Sequence, residues 1–291
     1  MRILYTSDLH GRTDLYQEII ILSIQQKINA VVLGGDLFPK QGRFIDSLEI
    51  QMQFIEDLFC PFLIELKDRT GASIYCILGN DDWAATLPLL HRFESDRLVH
   101  LLDHQVFQLS DGWSITGYPY VPPTPFSPKD FEKRDLKNDS PIHTTDFPAV
   151  SRSGLIEKID EVVYFSRQSS IEEDMILLPR IPNHQKAVYV IHAPPYDTAL
   201  DRLGKGRSIG SKAIRHFINK EQPSITLHGH IHESPMVSGF YWQKIGETLS
   251  INPGQMGSRL SAVILDSMQP METLSHTRYG NVQSHRAINS D

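Results

Sequence analysis

The chain has 291 residues, of which 40% are hydrophobic and 22% charged, a composition able to bury a full core within one large unit. Its 28 Lys and Arg against 35 Asp and Glu give a formal net charge of −7. That excludes non-specific coating of nucleic acid, which rests on neutralising phosphates; an anionic ligand would have to be met by metal ions or by a local basic loop.

No apolar run approaches the roughly 20 residues of a membrane span, and no apolar signal region precedes the first strand-like segment. The only cysteines, Cys60 and Cys76, fit a reducing compartment as packing thiols. The expected location is the cytoplasm, with no membrane partner.

In chain order, residues 2–7 predict a strand, 14–27 a helix and 30–33 a buried strand. Ile45, Leu48, Met52, Ile55, Leu58 and Phe62 recur at helical spacing and predict a helix over 44–67, followed by a strand over 73–78. Strands separated by helices imply parallel β-α-β units with right-handed crossovers. Ser110-Asp111-Gly112 reads as a hairpin turn between strands at 106–109 and 113–117. The run 119–128 holds five prolines and cannot continue a central strand. Residues 119–185 read as an insertion over the fold, with one helical piece near 169–178. Regular structure returns with a strand at 187–191, a helix at 211–220 and strands at 224–227, 248–251 and 262–265. The expected organisation is one domain over 1–276 and a C-terminal tail over 277–291.

Five strand-like runs each end in ligand-type residues. Asp8-Leu9-His10 follows the first, Gly35-Asp36 the second and Gly79-Asn80 the third; His192 follows 187–191, and Gly229-His230-Ile231-His232 follows 224–227. The carboxyl ends of parallel strands are where α/β proteins build sites, so five segments converge on one edge. In extended backbone, residues two apart point the same way, which would let Asp8 and His10 grip one ion, and His230 and His232 likewise. Gly35 and Gly79 would let backbone pass close to the ions without a Cβ in the way. Carboxylate, imidazole and amide ligands suit a borderline divalent ion such as Mn, Fe, Zn, Ni or Co. Seven ligands fit two ions sharing a bridging Asp36 better than one crowded ion.

Asp-x-His, Gly-Asp, Gly-Asn, a single His and Gly-His-x-His, in that order, resemble the calcineurin-like metallophosphoesterases over residues 1–266. The resemblance implies an α/β fold, a β-sandwich flanked by helices with the metals at strand carboxyl ends. It implies Asp8, His10, Asp36 and His232 around one metal and Asp36, Asn80, His192 and His230 around the other. The activity it implies is hydrolysis of a phosphate mono- or diester. Two ions about 3.5–4 Å apart would activate a bridging hydroxide and clamp the phosphoryl oxygens. Manganese is among the expected metals, and a small phosphorylated compound, not an extended nucleic acid, is the expected partner. Asn252-Pro253-Gly254 also resembles a turn found near the end of smaller members.

One position departs from that pattern. The family's Gly-Asn-His, whose histidine assists the leaving group, is here Gly79-Asn80-Asp81-Asp82. An ordinary Asp is ionised at neutral pH and would repel a phosphate unless its pKa were raised or it faced away. Asp81 is therefore a candidate catalytic acid beside Asp36 and Asn80, with a helix N-cap before 83–90 as the competing role. Its presence favours substrates with good leaving groups, or diesters.

Arg202, Lys205 and Arg207, in a basic loop just past His192, are the candidate substrate-binding residues. Ser211 would cap the following helix and leave its N-terminus to favour phosphate. The proline-rich aromatic run at 118–126 is expected to wall the substrate cleft. Two alternatives of other kinds are a non-catalytic scaffold of the same fold, which would be expected to lose ligands, and a nuclease or cyclic-nucleotide phosphodiesterase.

Overall fold

Apolar residues on both faces of successive strands require cover on both sides, and the computed structural model, which describes residues 1–281, supplies it with two sheets and flanking helices. The first sheet runs in the spatial order Gly280–Asn281, Ser275–His276, Val263–Asp266, Arg2–Thr6, Ala30–Gly34, Ser73–Ile77 and His100–Leu101. Its last four strands are parallel and the others antiparallel. The second sheet has the order Trp242–Ile245, Thr248–Ile251, Ile225–Leu227, Ala187–Ile191, Ser114–Tyr118 and Phe107–Gln108. Its four central strands are parallel and its edges antiparallel.

Alternation along each strand divides the core into layers. Ile3, Tyr5, Val32 and Ile77 of the first sheet meet Ile115, Val188, Val190, Leu227 and Ile251 of the second. On the outer face of the first sheet, Leu4, Val31, Leu33, Ile74 and Cys76 pack against Tyr16, Ile19, Phe59, Phe62 and Leu63. On the outer face of the second, Tyr189 and Ile191 meet Ile171, Met175, Ile214 and Phe217. The α/β class and the helix-flanked sandwich are thus as expected.

The helical region predicted over 44–67 extends to Thr70 and is less regular, opening with a 3-10 turn at Phe44–Asp46. It runs through Ser47–Phe54, a π-helical stretch Ile55–Phe59 and Cys60–Thr70, ending at Gly71 in the left-handed conformation. Both cysteines are free, Cys76 within the core and Cys60 half-buried. The hairpin formed by Ser275–His276 and Gly280–Asn281 carries the first sheet past residue 277, where the sequence suggests a tail; residues 282–291 lie outside the described part. Among the described residues no helix is long and apolar enough to cross a membrane.

Residues 119–185 hold more structure than their composition suggests: a hairpin of Ala149–Arg152 with Leu155–Lys158, and helices Glu161–Ser166 and Ile171–Leu177. The second helix starts with a reciprocal Ser170–Glu173 capping box. The region is pinned by Lys129, which is fully buried. Its Nζ donates to the Thr124 carbonyl at 2.6 Å and to Glu132 Oε2 at 2.9 Å, and lies 3.4 Å from Glu161 Oε1. Burial raises the Glu132 carboxyl to about 7 even with Lys129 beside it.

Removing the buried ammonium leaves Glu132 and Glu161 without the charge they share. Lys129→Met is expected to cost about 3–5 kcal/mol in denaturant unfolding. Glu132→Gln should cost clearly less, because it replaces a carboxyl already close to half protonated at neutral pH; equal losses for the two variants would contradict this account.

Candidate metal centre

The five ligand-bearing segments leave the carboxyl ends of Arg2–Thr6, Ala30–Gly34 and Ser73–Ile77 in the first sheet and of Ala187–Ile191 and Ile225–Leu227 in the second. They meet where the two sheet edges adjoin. Possible ligand atoms of Asp8, His10, Asp36 and His232 all lie within 4.8 Å of one another, and so do those of Asp36, His192 and His230. Asp36 belongs to both groups. Asn80 is buried and lines the same cavity as Asp36, His230 and His232.

The route to this convergence differs from extended alternation. Asp8, His10, Asp36 and His230 have φ of 60°, 46°, 53° and 65°, in the left-handed region that costs a non-glycine residue about 1–3 kcal/mol. The turns are held by backbone bonds from Asp8 N–H to the Gly35 carbonyl and from His10 N–H to the Asp36 carbonyl, both 2.9 Å. His230 and His232 do not share an ion-sized cluster; they fall into different groups. The two-residue spacing thus accompanies one cluster for Asp8 and His10, through left-handed turns in place of extended backbone, and two different clusters for His230 and His232.

The glycines make room for protein groups. A Cβ on Gly79 would lie 2.5 Å from Asp36 N and 2.7 Å from His192 Nε2, and one on Gly35 would lie 2.7 Å from His192 Nδ1. Gly229 leaves space for Asp8 in the same way. His192 Nδ1 sits 2.7 Å from the Gly34 carbonyl, which fixes the tautomer with the Nδ1 proton donated. Its Nε2 then faces Asp36 Oδ2 at 3.4 Å.

Asp8 accepts from His230 N–H at 3.0 Å, and Asp36 Oδ1 accepts from Asp81 N–H at 2.8 Å. The Asn252-Pro253-Gly254 turn braces the loop from below: Asn252 Nδ2 donates to the Leu200, Gly229 and Ile231 carbonyls. His228 is fully buried against the Ile191 and Ala193 carbonyls and Thr226 Oγ1. Burial brings its pKa down to about 4, so it is a packing histidine.

The donor set fits divalent cations. Asn80 Oδ1, His10 Nδ1 and His192 Nε2 are buried and have no hydrogen-bond partner, a state that costs about 1–3 kcal/mol per atom unless something satisfies it. The electrostatics point the same way. Burial works against the ionised Asp8, yet the His232 and His192 imidazoles bring it to about 2. Burial likewise opposes ionised Asp36, and His192 and His10 hold it well below the carboxylate range. Burial lowers His230 to about 3. Burial opposes a protonated His192, yet Asp36 raises it to about 9: the two buried carboxylates draw positive charge to this centre, and a divalent cation can supply it in place of a proton.

Asp81 is not a helix N-cap. Its side chain is buried at the cavity wall, with Oδ2 2.8 Å from Lys40 Nζ and 3.9 Å from His10 Nδ1. Burial and then Asp36 push its pKa up, against Lys40 and His10. Asp82 faces away, accepting from the backbone N–H groups of Leu37, Phe38 and Gly79 and tying the second and third ligand loops together.

Of the candidate substrate residues, Arg207 lines the 400 Å³ cavity with Asp36, Asn80 and Asp81, whereas Arg202 and Lys205 do not. Arg202 is spent within its own loop, on the Gly206 carbonyl and Asp197 at 3.1 Å each. Ser211 does cap the helix Lys212–Glu221, but Asp135 already fills that N-terminus, accepting from Lys212 N–H at 2.7 Å. No phosphate role is left for it. Residues 122–126 line the cavity, as expected of a cleft wall. Lys40, four residues past Asp36, was not legible as a site residue, though a cation just after a ligand motif is a usable signal.

The family model for the calcineurin-like phosphoesterases matches residues 1–234. Among solved structures, the TT1561 protein of Thermus thermophilus is similar with a TM-score of 0.54 at 14% identity, over 92% of this chain and 94% of that one. A dimetal phosphatase from Danio rerio has a TM-score of 0.51 at 10% identity, over 90% and 92%. No curated protein matches in sequence. The chain belongs to the calcineurin-like phosphoesterase family, a class of metal-dependent hydrolases.

Gly79→Ala is expected to keep the fold by circular dichroism yet weaken metal binding about 10–100-fold, because the new methyl displaces Asp36 and His192. Elemental analysis of protein purified without chelators measures this; wild-type metal content in the variant would contradict the packing argument.

Proposed function

We propose that the chain hydrolyses a phosphate mono- or diester at a binuclear metal site. The observation that carries this reading is the sharing of Asp36 between two ligand clusters whose other members are Asp8, His10 and His232 on one side and His192 and His230 on the other. Divalent ions held there would supply Lewis-acid activation of water and charge neutralisation of the phosphoryl group. Asn80, with its unpartnered Oδ1, completes the second cluster.

The protein's own residues set how an ester is received. Arg207 adds positive charge to the cavity lining. Lys40 pairs with Asp81, so the carboxylate that stands in for the family's histidine presents little net repulsion to an anion. The pair is a poor replacement for a free imidazole acid, and this favours diesters or esters with good leaving groups. Manganese is a suitable first metal to supply. A complete ligand set gives no support to the scaffold alternative.

Elemental analysis is expected to find two divalent ions per chain, and protein prepared without chelators that holds no metal would sink the proposal. Asp36→Asn should lower kcat/KM by at least about 10²-fold, the scale on which a positioned electrostatic group acts. For the leaving-group argument, Asp81→His is compared with the wild type on a chromogenic monoester and diester. The variant should gain on the monoester relative to the diester; equal rates for both proteins on both substrates would count against it.

A further inference from the structure

Beside the cavity that holds the candidate ligands lies a second one of 280 Å³, and the two share Lys40, Asp81, Pro125 and Phe126. Its walls are aromatic: Phe44, Trp83 and Phe126 all line it. Phe44 and Trp83 pack with centroids 5.7 Å apart at a 53° tilt, and Lys40 Nζ stands 3.9 Å from the Phe126 ring centre. Phe44 and Phe126 are 41% and 44% exposed, so two aromatic rings stay partly open to solvent beside the metal centre.

Most polar atoms around these rings are already committed, with Asp81 Oδ1 left unpartnered at the side shared with the metal cavity. Gln51 Nε2 donates to the Pro39 and Asp81 carbonyls and its Oε1 accepts from Trp83 N–H. Ser47 Oγ accepts from Trp83 Nε1 and donates to the Phe44 carbonyl. The cavity thus offers ring faces and few free hydrogen-bonding groups. Such a site holds planar rings by stacking and tolerates differences at their edges.

We propose that this cavity is the leaving-group subsite and takes the nucleobase of a nucleotide whose phosphate lies at the metal centre. The inference rests on the reading of the neighbouring cavity as a phosphoesterase site. The Lys40–Asp81 pair stands at the divide between ring and phosphate, and its near-neutral charge lets the ester's anionic end pass into the metal cavity.

Adenosine 5′-monophosphate and ribose 5-phosphate share the same primary alcohol and differ in the base, and so do their 5′-methyl diesters. With Mn supplied, the adenosine member of each pair should have a kcat/KM at least about tenfold higher, the lower part of the range that base stacking gives. Phe44→Leu and Phe126→Leu keep apolar bulk but remove a ring face, and each should bring the ratio down towards one. Equal values for the wild type, or a preference that survives both substitutions, overturns the subsite. If none of the four esters is hydrolysed, the phosphoesterase reading fails by itself, and calorimetric titration of adenosine against ribose judges the subsite. Adenosine binding weakened in both variants supports it, and absent or unaltered binding overturns it.

Discussion

One hydrogen bond, from His192 Nδ1 to the Gly34 carbonyl, joins the two sheets at the point where their ligand loops meet. It ties a side chain from the end of one sheet's central strand to the backbone of the other sheet, and it leaves the second imidazole nitrogen facing Asp36. The rest of the site depends on this registration. Neither sheet alone carries a full cluster, since each group draws on loops from both sheets. The core between the sheets, with Val190 and Leu227 against Tyr5 and Val32, therefore sets metal geometry as well as stability. Side chains interdigitate there at crystal-like density, so the relative position of the sheets is fixed to within a small displacement.

The cost of convergence is carried locally. Left-handed backbone at Asp8, His10, Asp36 and His230, glycines at 35, 79 and 229 with protein atoms where a Cβ would be, and unpartnered buried donor and acceptor atoms are unfavourable features in one small volume. Strain and unsatisfied polarity concentrated at one place are common at functional sites. A cation offsets several of them together, by giving the orphan atoms a partner and the two carboxylates a counter-charge. Asp82 and Asn252 supply the opposite kind of contribution, with every bond they make serving to hold a loop in place.

What could be read in the sequence follows a physical division. The ligand positions were legible because each lies just past a buried strand, and the strands announce themselves as short apolar runs, three of the five with glycine just before the ligand residue. The backbone that turns those residues inward was not, because Asp and His in left-handed conformations look the same in sequence as Asp and His in extended strands. The basic loop misled for a related reason: composition gives the charge of Arg202 but not that Asp197 and the Gly206 carbonyl absorb it. Lys40 was missed because its pairing with Asp81 joins loops from two different strands. The hairpin Ala149–Arg152 with Leu155–Lys158 was hidden because each four-residue strand sets two apolar residues before two polar ones and shows no alternation.

The prolines at 119, 122, 123, 125 and 128 have a further consequence for how the cleft behaves. Each fixes its own φ and restricts the residue before it, so the wall at 122–126 is narrowed to few conformations while the chain is still unfolded. Its ordering is settled when the protein folds, with Thr124 fastened to Glu132 and Lys129. A ligand arriving against it then has little loop entropy to remove on binding. A cleft built this way selects by exclusion of shapes that do not fit, and it has little capacity to mould itself around those that nearly do.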